Sequence, residues 1–130
     1  MPKPRKPRFI LLSDLAGTPG TVHVEVNITS VLFWGVRYTN DAGATFTIDK
    51  NGPVNTIELG TPASLKGSID VFQIGFVPDA NDERKYHIDL TWKFRGADGS
   101  EKILIESFAD TGSIPANDPD PIIVCSVMFM

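Results

Sequence analysis

Val22–Tyr38 reads VHVEVNITSVLFWGVRY, and the period of this stretch decides the fold. One phase carries Val22, Val24, Val26, Ile28, Ser30, Leu32, Trp34, Val36 and Tyr38, while His23, Glu25, Asn27 and Thr29 fill the other. A period of two puts alternate side chains on opposite faces of a β-strand, apolar towards a core and polar away from it. At roughly 3.3 Å per residue, a single strand of this length would be unusually long. The pattern therefore predicts a bend near Thr29-Ser30 that passes the chain from one sheet to another without changing phase. Val31 and Phe33 add the expectation that the second half is covered on both faces.

Working outward, further strands are expected at Phe9–Asp14, Ala44–Asp49, Val54–Leu59, Ser68–Val77, Arg84–Arg95, Glu101–Phe108 and Pro121–Met130. Their separators carry turn chemistry in Gly17-Thr18-Pro19-Gly20, Asn40-Asp41-Ala42-Gly43, Asn51-Gly52-Pro53 and Ala97-Asp98-Gly99. One helical signature lies between Gly60 and Gly67, with Thr61 as N-cap, Pro62 at the first position and Gly67 as the stop. It supports a single turn. Short strands, tight turns and almost no helix predict an all-β fold, an antiparallel β-sandwich (Ig-like or jelly-roll-like) of about 7–9 strands. The expected core includes Val24, Val26, Trp34, Ile88, Leu90, Trp92, Ile105 and Val127.

The chain begins MPKPRKPRF. Lys3, Arg5, Lys6 and Arg8 are four of its 12 basic residues, so the remainder holds 8 basic against 16 acidic side chains. The organisation is a basic, proline-rich arm over residues 1–8 on a single acidic domain over residues 9–130, 130 residues being enough for one domain. The prolines favour an extended arm, mobile when alone. A nucleic-acid partner would need a positive surface continuing past Arg8, and the acidic body argues against one. An acidic protein surface, most directly another copy of the chain, is the expected receptor for Lys3, Arg5, Lys6 and Arg8, with Phe9 as anchor.

No apolar run approaches the roughly 20 residues of a membrane-spanning helix, and no signal-like apolar stretch follows the basic start, so a cytoplasmic product is the default expectation. One cysteine excludes an internal disulfide. Cys125 shares its strand phase with Ile123, Val127 and Phe129, which predicts a buried, inert thiol.

Few residues suggest chemistry. No nucleophile elbow, His-Glu-x-x-His run or phosphate-cradling glycine loop is present. His87-Asp89 and His23-Glu25 each place a histidine and a carboxylate on the polar phase of a strand, and two such pairs would share a cation or an ion pair only if their strands were neighbours. If Arg84–Arg95 and Glu101–Phe108 form a hairpin, the loops on either side of it converge on one rim. Asp79, Asn81, Asp82, Asp110, Asp118 and Asp120 would then offer oxygen ligands for calcium; no other cofactor is expected. The leading expectation is a non-catalytic β-sandwich acting through protein association, as a homo-oligomer subunit. A calcium-dependent carbohydrate-binding module is the alternative, and a small hydrolase the third.

Overall fold

Alternation becomes two packed sheets in the computed structural model, which describes residues 3–15, 17–30, 32–40, 45–49, 55–77, 85–104, 108–115 and 121–130. The strands are β1 (Lys3–Pro4), β2 (Arg8–Ile10), β3 (Gly20–Ser30), β4 (Phe33–Asn40), β5 (Thr45–Asp49), β6 (Thr56–Gly60), β7 (Ile69–Val77), β8 (Lys85–Gly96), β9 (Glu101–Ile103), β10 (Phe108–Ser113) and β11 (Ile122–Phe129). β1 and β2 are two pieces of one edge strand lying parallel to β11, so the first sheet reads β1/β2–β11–β7–β4–β5. The second reads β10–β8–β3–β6, with β9 on the same side of β8 as β10. Every other pairing is antiparallel.

The long alternating stretch does bend between sheets. β3 ends at Ser30 in the second sheet and β4 begins at Phe33 in the first. The Ser30 hydroxyl pins this corner by donating to the Lys85 carbonyl at 2.9 Å and accepting from the Leu32 amide at 3.1 Å. Phase is kept across the bend: Val22, Val24, Val26, Leu32, Val36 and Tyr38 are buried, and Ile28 and Trp34 are partly so. One expectation fails here. Phe33 is 57% exposed, so the second half of the stretch is covered on one face only; Val31 lies outside the described residues.

Both inner faces meet in one core. Phe72 of β7 meets Trp92 of β8 edge-on at 5.8 Å and 83°, and Phe76 packs on Tyr86 at 5.1 Å, each pair bridging the two sheets. Val24, Val26, Ile88, Leu90, Trp92 and Val127 are buried as the phase requires; Ile105 lies outside the described residues. The helical turn α1 (Pro62–Leu65) is capped by Thr61, whose Oγ1 accepts from the Ser64 amide at 3.2 Å, and Gly67 follows at a φ of +88°.

Two strand boundaries move. The first predicted strand stops at Ile10, because the chain makes a short 3₁₀ turn at Ser13–Leu15 and buries Leu12 and Leu15. The return strand after the Gly96–Ser100 turn is split. Ile103 pairs with Lys93 but Phe108 with Leu90, two residues more than a regular ladder needs. Ala109–Gly112, expected as loop, is therefore strand and belongs to β10.

Candidate functional site

The sheets' outer faces follow from the phase opposite to the core. On the first sheet, Phe33 lies beside Val77, Gly35 beside Gly75 and Gly75 beside Ile122. Further along, Gln73 separates Arg37 from Val124, Val71 pairs with Thr39, and Ile69, Met128 and Phe9 form the last row. Phe9, Phe33, Ile69 and Val77 are each more than two-fifths exposed. Phe33 and Val77 stand at one end of the face and Ile69 and Phe9 at the other, with Gly35, Gly75, Arg37, Gln73 and Thr39 between them. Single exposed apolar residues are ordinary, and exposed pairs on a sheet face offer contact to another surface.

At the centre of this face the paired Gly35 and Gly75 leave an open trough of about 340 Å³, lined also by Arg37, Thr47, Asp49, Gln73 and Ile122. Neither glycine is required by its own backbone: neither has a positive φ. A Cβ at Gly35 would stand 3.7 Å from the Ile48 carbonyl oxygen, and one at Gly75 3.9 Å from Ile122 Cγ1, both ordinary contacts. Glycine weakens a strand interior and often marks a place where another backbone or a ligand comes close.

The basic segment at the N-terminus lies against its own domain. The Arg5 amide donates to the Val124 carbonyl at 2.8 Å, and the Met130 amide to Ile10 at 2.8 Å. Proline suits this edge because its missing N–H faces no partner strand. Arg5 then crosses to the second sheet: its Nε donates to Asp110 Oδ2 at 2.9 Å and its Nη2 to the Tyr86 hydroxyl at 3.2 Å. The Asp110 hydrogen bond raises the Arg5 pKa. Arg8 sits 5.4 Å from the centroid of the Phe108 ring. Of the residues expected to meet a partner, Arg5 and Arg8 thus brace the sandwich edge, Lys3 enters β1, Lys6 is exposed and Phe9 joins the apolar face.

The second sheet's outer face is polar. β3 and β8 are neighbours, but His23 is opposite Lys93 and His87 opposite Thr29, so the two histidines stand six residues apart along the ladder, and among the described residues the two expected His–carboxylate pairs make no joint site. His87 is exposed, with Nδ1 2.6 Å from Thr111 Oγ1. His23 is fully buried despite its outward phase, and neither ring nitrogen has a hydrogen-bond partner. Its Nε2 lies 3.6 Å from Glu25 Oε1 and 3.4 Å from Glu101 Oε2. Lys93 Nζ reaches the same Glu25 oxygen at 3.0 Å, and Arg95 lies 3.7 Å from Glu101 and 3.6 Å from Glu58. The Lys93 hydrogen bond holds the Glu25 carboxyl below its ordinary value, and His23 adds a smaller push in the same direction against desolvation. Glu101 was not legible as a member, because only the β3–β8–β9 register brings it to His23.

Of the residues expected to hold calcium, Asp79, Asn81, Asp82, Asp118 and Asp120 lie outside the described residues. Asp110 is not on a loop: it points inward from β10 and takes Arg5. Cys125 is buried, and desolvation pushes its thiol up to about 12, which leaves no thiolate near neutral pH. Asp70, on the core phase of β7, is a buried carboxylate whose charge, second to burial, raises the Tyr38 hydroxyl. An acidic residue in phase with Phe72, Ile74 and Phe76 was the sequence signal for it.

Among the described residues no helix is long and apolar enough to cross a membrane. Comparison with protein-family models, curated proteins and solved structures finds no match to this chain.

Proposed function

We propose that this protein is a non-catalytic association module that pairs with a second copy of itself through the outer face of the first sheet. The observation that carries the reading is the glycine trough set within an apolar face. A closed two-fold interface needs a self-complementary patch, in which a feature i meets j and j meets i. Phe33 projects two residues from Gly35, and Val77 two from Gly75, so a knob row and a trough row lie side by side. Rotation of one copy about an axis between these rows seats each Phe33 in the other's trough. Arg37 and Asp49 flank the trough with opposite charge, which suits the same reciprocal contact and sets the register. Aromatic anchors in a fitted depression contribute most of the energy of such interfaces.

Sedimentation or light scattering over a concentration series tests this. The expected result is a mass above the 14.2 kDa monomer, reduced to the monomer by Phe33→Asp and by Gly75→Val, with the β-sheet circular dichroism kept in both. A wild-type protein that stays monomeric at every concentration, or variants that leave the oligomer intact, overturns the proposal.

A further inference from the structure

On the opposite face, His23, Glu25 and Glu101 bring one nitrogen and two carboxylate oxygens within 4.8 Å of one another. The His23 to Glu101 and Glu25 separations, 3.4 and 3.6 Å, exceed the roughly 2.7–3.2 Å of an N–H···O hydrogen bond. The first falls at, and the second lies about 0.2 Å beyond, the ligand-to-ligand edge of about 3.3–3.4 Å that follows from tetrahedral bonds of about 2.0–2.1 Å. The imidazole is wholly buried, and neither nitrogen has a hydrogen-bond partner. Such a group is costly to leave unsatisfied. The carboxylates are partly exposed, with side-chain exposures of 33% for Glu25 and 43% for Glu101, so water can complete a coordination shell.

We infer that His23, Glu25 and Glu101 bind a divalent cation of the zinc class through one imidazole nitrogen and two carboxylate oxygens. One nitrogen and two oxygens, with a position left to water, is a donor set that zinc accepts and that is poor for calcium, an oxygen-binding ion. Charge also leaves room for it. Glu25, Glu58 and Glu101 face two cations, Lys93 and Arg95, so with His23 neutral the cluster keeps one negative charge in excess. Lys93 competes for the Glu25 oxygen that the metal takes. The bound ion ties β3 to β9 across β8, bracing the short edge segment β9.

Titration calorimetry with Zn²⁺ alone on the full chain, in a buffer that does not chelate, reads the site. The expected result is one equivalent bound. Glu101→Gln, at a partly exposed position that leaves the fold intact, weakens affinity by about tenfold or more, and Glu25→Gln does the same. Lys93→Met, which keeps the apolar stem but removes the competing charge, tightens it severalfold. Co²⁺ supplies a second readout: intense visible bands of low coordination, present in wild type and His87→Ala and lost in Glu101→Gln. The inference is overturned if Zn²⁺ binds no tighter than millimolar, if His87→Ala rather than Glu101→Gln removes it, or if Lys93→Met weakens it, as a simple ion-pair network requires.

Discussion

The two outer faces of the sandwich are built by the same alternation and carry opposite chemistry. The first sheet turns Phe33, Val77, Ile122, Val124, Ile69 and Phe9 outward, with Arg37 and Asp49 as the charges flanking its trough. The second turns out His23, Glu25, Lys93, Arg95, Glu58 and Glu101, joined by ion pairs across four strands. Exposed ion pairs add little to stability, about 0–1 kcal/mol each, whereas exposed apolar side chains gain by being covered. Burial in the core thus does not determine what an outer phase carries. The first face is the one proposed to meet a second copy, and the second the one inferred to hold a cation.

The comparison presumes that both faces stand on one core, and the largest effect tests that premise. Trp92 is fully buried and meets Phe72 across the sheets. Trp92→Ala should lose about 3–5 kcal/mol, and both association and cation binding should fall with the fold. A truncated Trp92 with an unchanged urea midpoint would mean that the sheets do not share this contact.

Next in size is the edge where the faces are strapped together. Deleting residues 1–8 removes β1, the Arg5 bridge to Asp110 and Tyr86, and Arg8 over Phe108. Several hydrogen bonds of about 0.5–1.5 kcal/mol each are at stake, so a loss of about 1–3 kcal/mol is expected with the sandwich still folded. The deletion bares the β11 edge, so Cys125, buried in the whole protein, should alkylate faster. Unchanged stability and unchanged thiol reactivity would detach the N-terminal segment from the sandwich.

Much of this architecture was legible because the phase of two is a local property. The buried set of β3, β7, β8 and β11, the sheet change at Ser30 and the Thr61 cap with Pro62 all follow from residues close in sequence. What was not legible depends on partners far apart in the chain. Arg5 is 105 residues from Asp110, and nothing near either residue announces the bridge. The exposure of Phe33 depends on which outer face is covered, and His23 is buried by long side chains whose register no single strand reveals. The two extra residues that split β9 from β10 turned an expected loop at Asp110 into strand.

A smaller effect separates the ionic face from the apolar one by pH. The Glu25 carboxyl is held below its ordinary value, first by its hydrogen bond from Lys93. A depressed folded value means that the group's stabilisation is complete above the unfolded carboxylate value and is lost as pH falls through the folded one. With a chelator present, Glu25→Gln should therefore flatten the acid side of the stability curve and leave the association behaviour of the other face unchanged. Superimposable curves for Glu25→Gln and wild type would remove Glu25 from the acid response.

The smallest effect is also the sharpest test of the apolar face. Val77 is 59% exposed in the monomer and pairs with Phe33 at the knob end of the trough. Thr has nearly the shape of Val and a comparable preference for strands, so Val77→Thr removes an apolar surface and leaves the backbone content. At dilutions where the protein is monomeric, substitution at so exposed a site should change stability by no more than about 0.5 kcal/mol. At concentrations where copies pair, the same change should weaken association, because the hydroxyl must then lose water against Phe33 of the neighbouring copy. Urea midpoints measured at both concentrations separate the two contributions. A large loss in the dilute sample would mean that Val77 is already covered within its own chain, and the contrast between the two outer faces would dissolve.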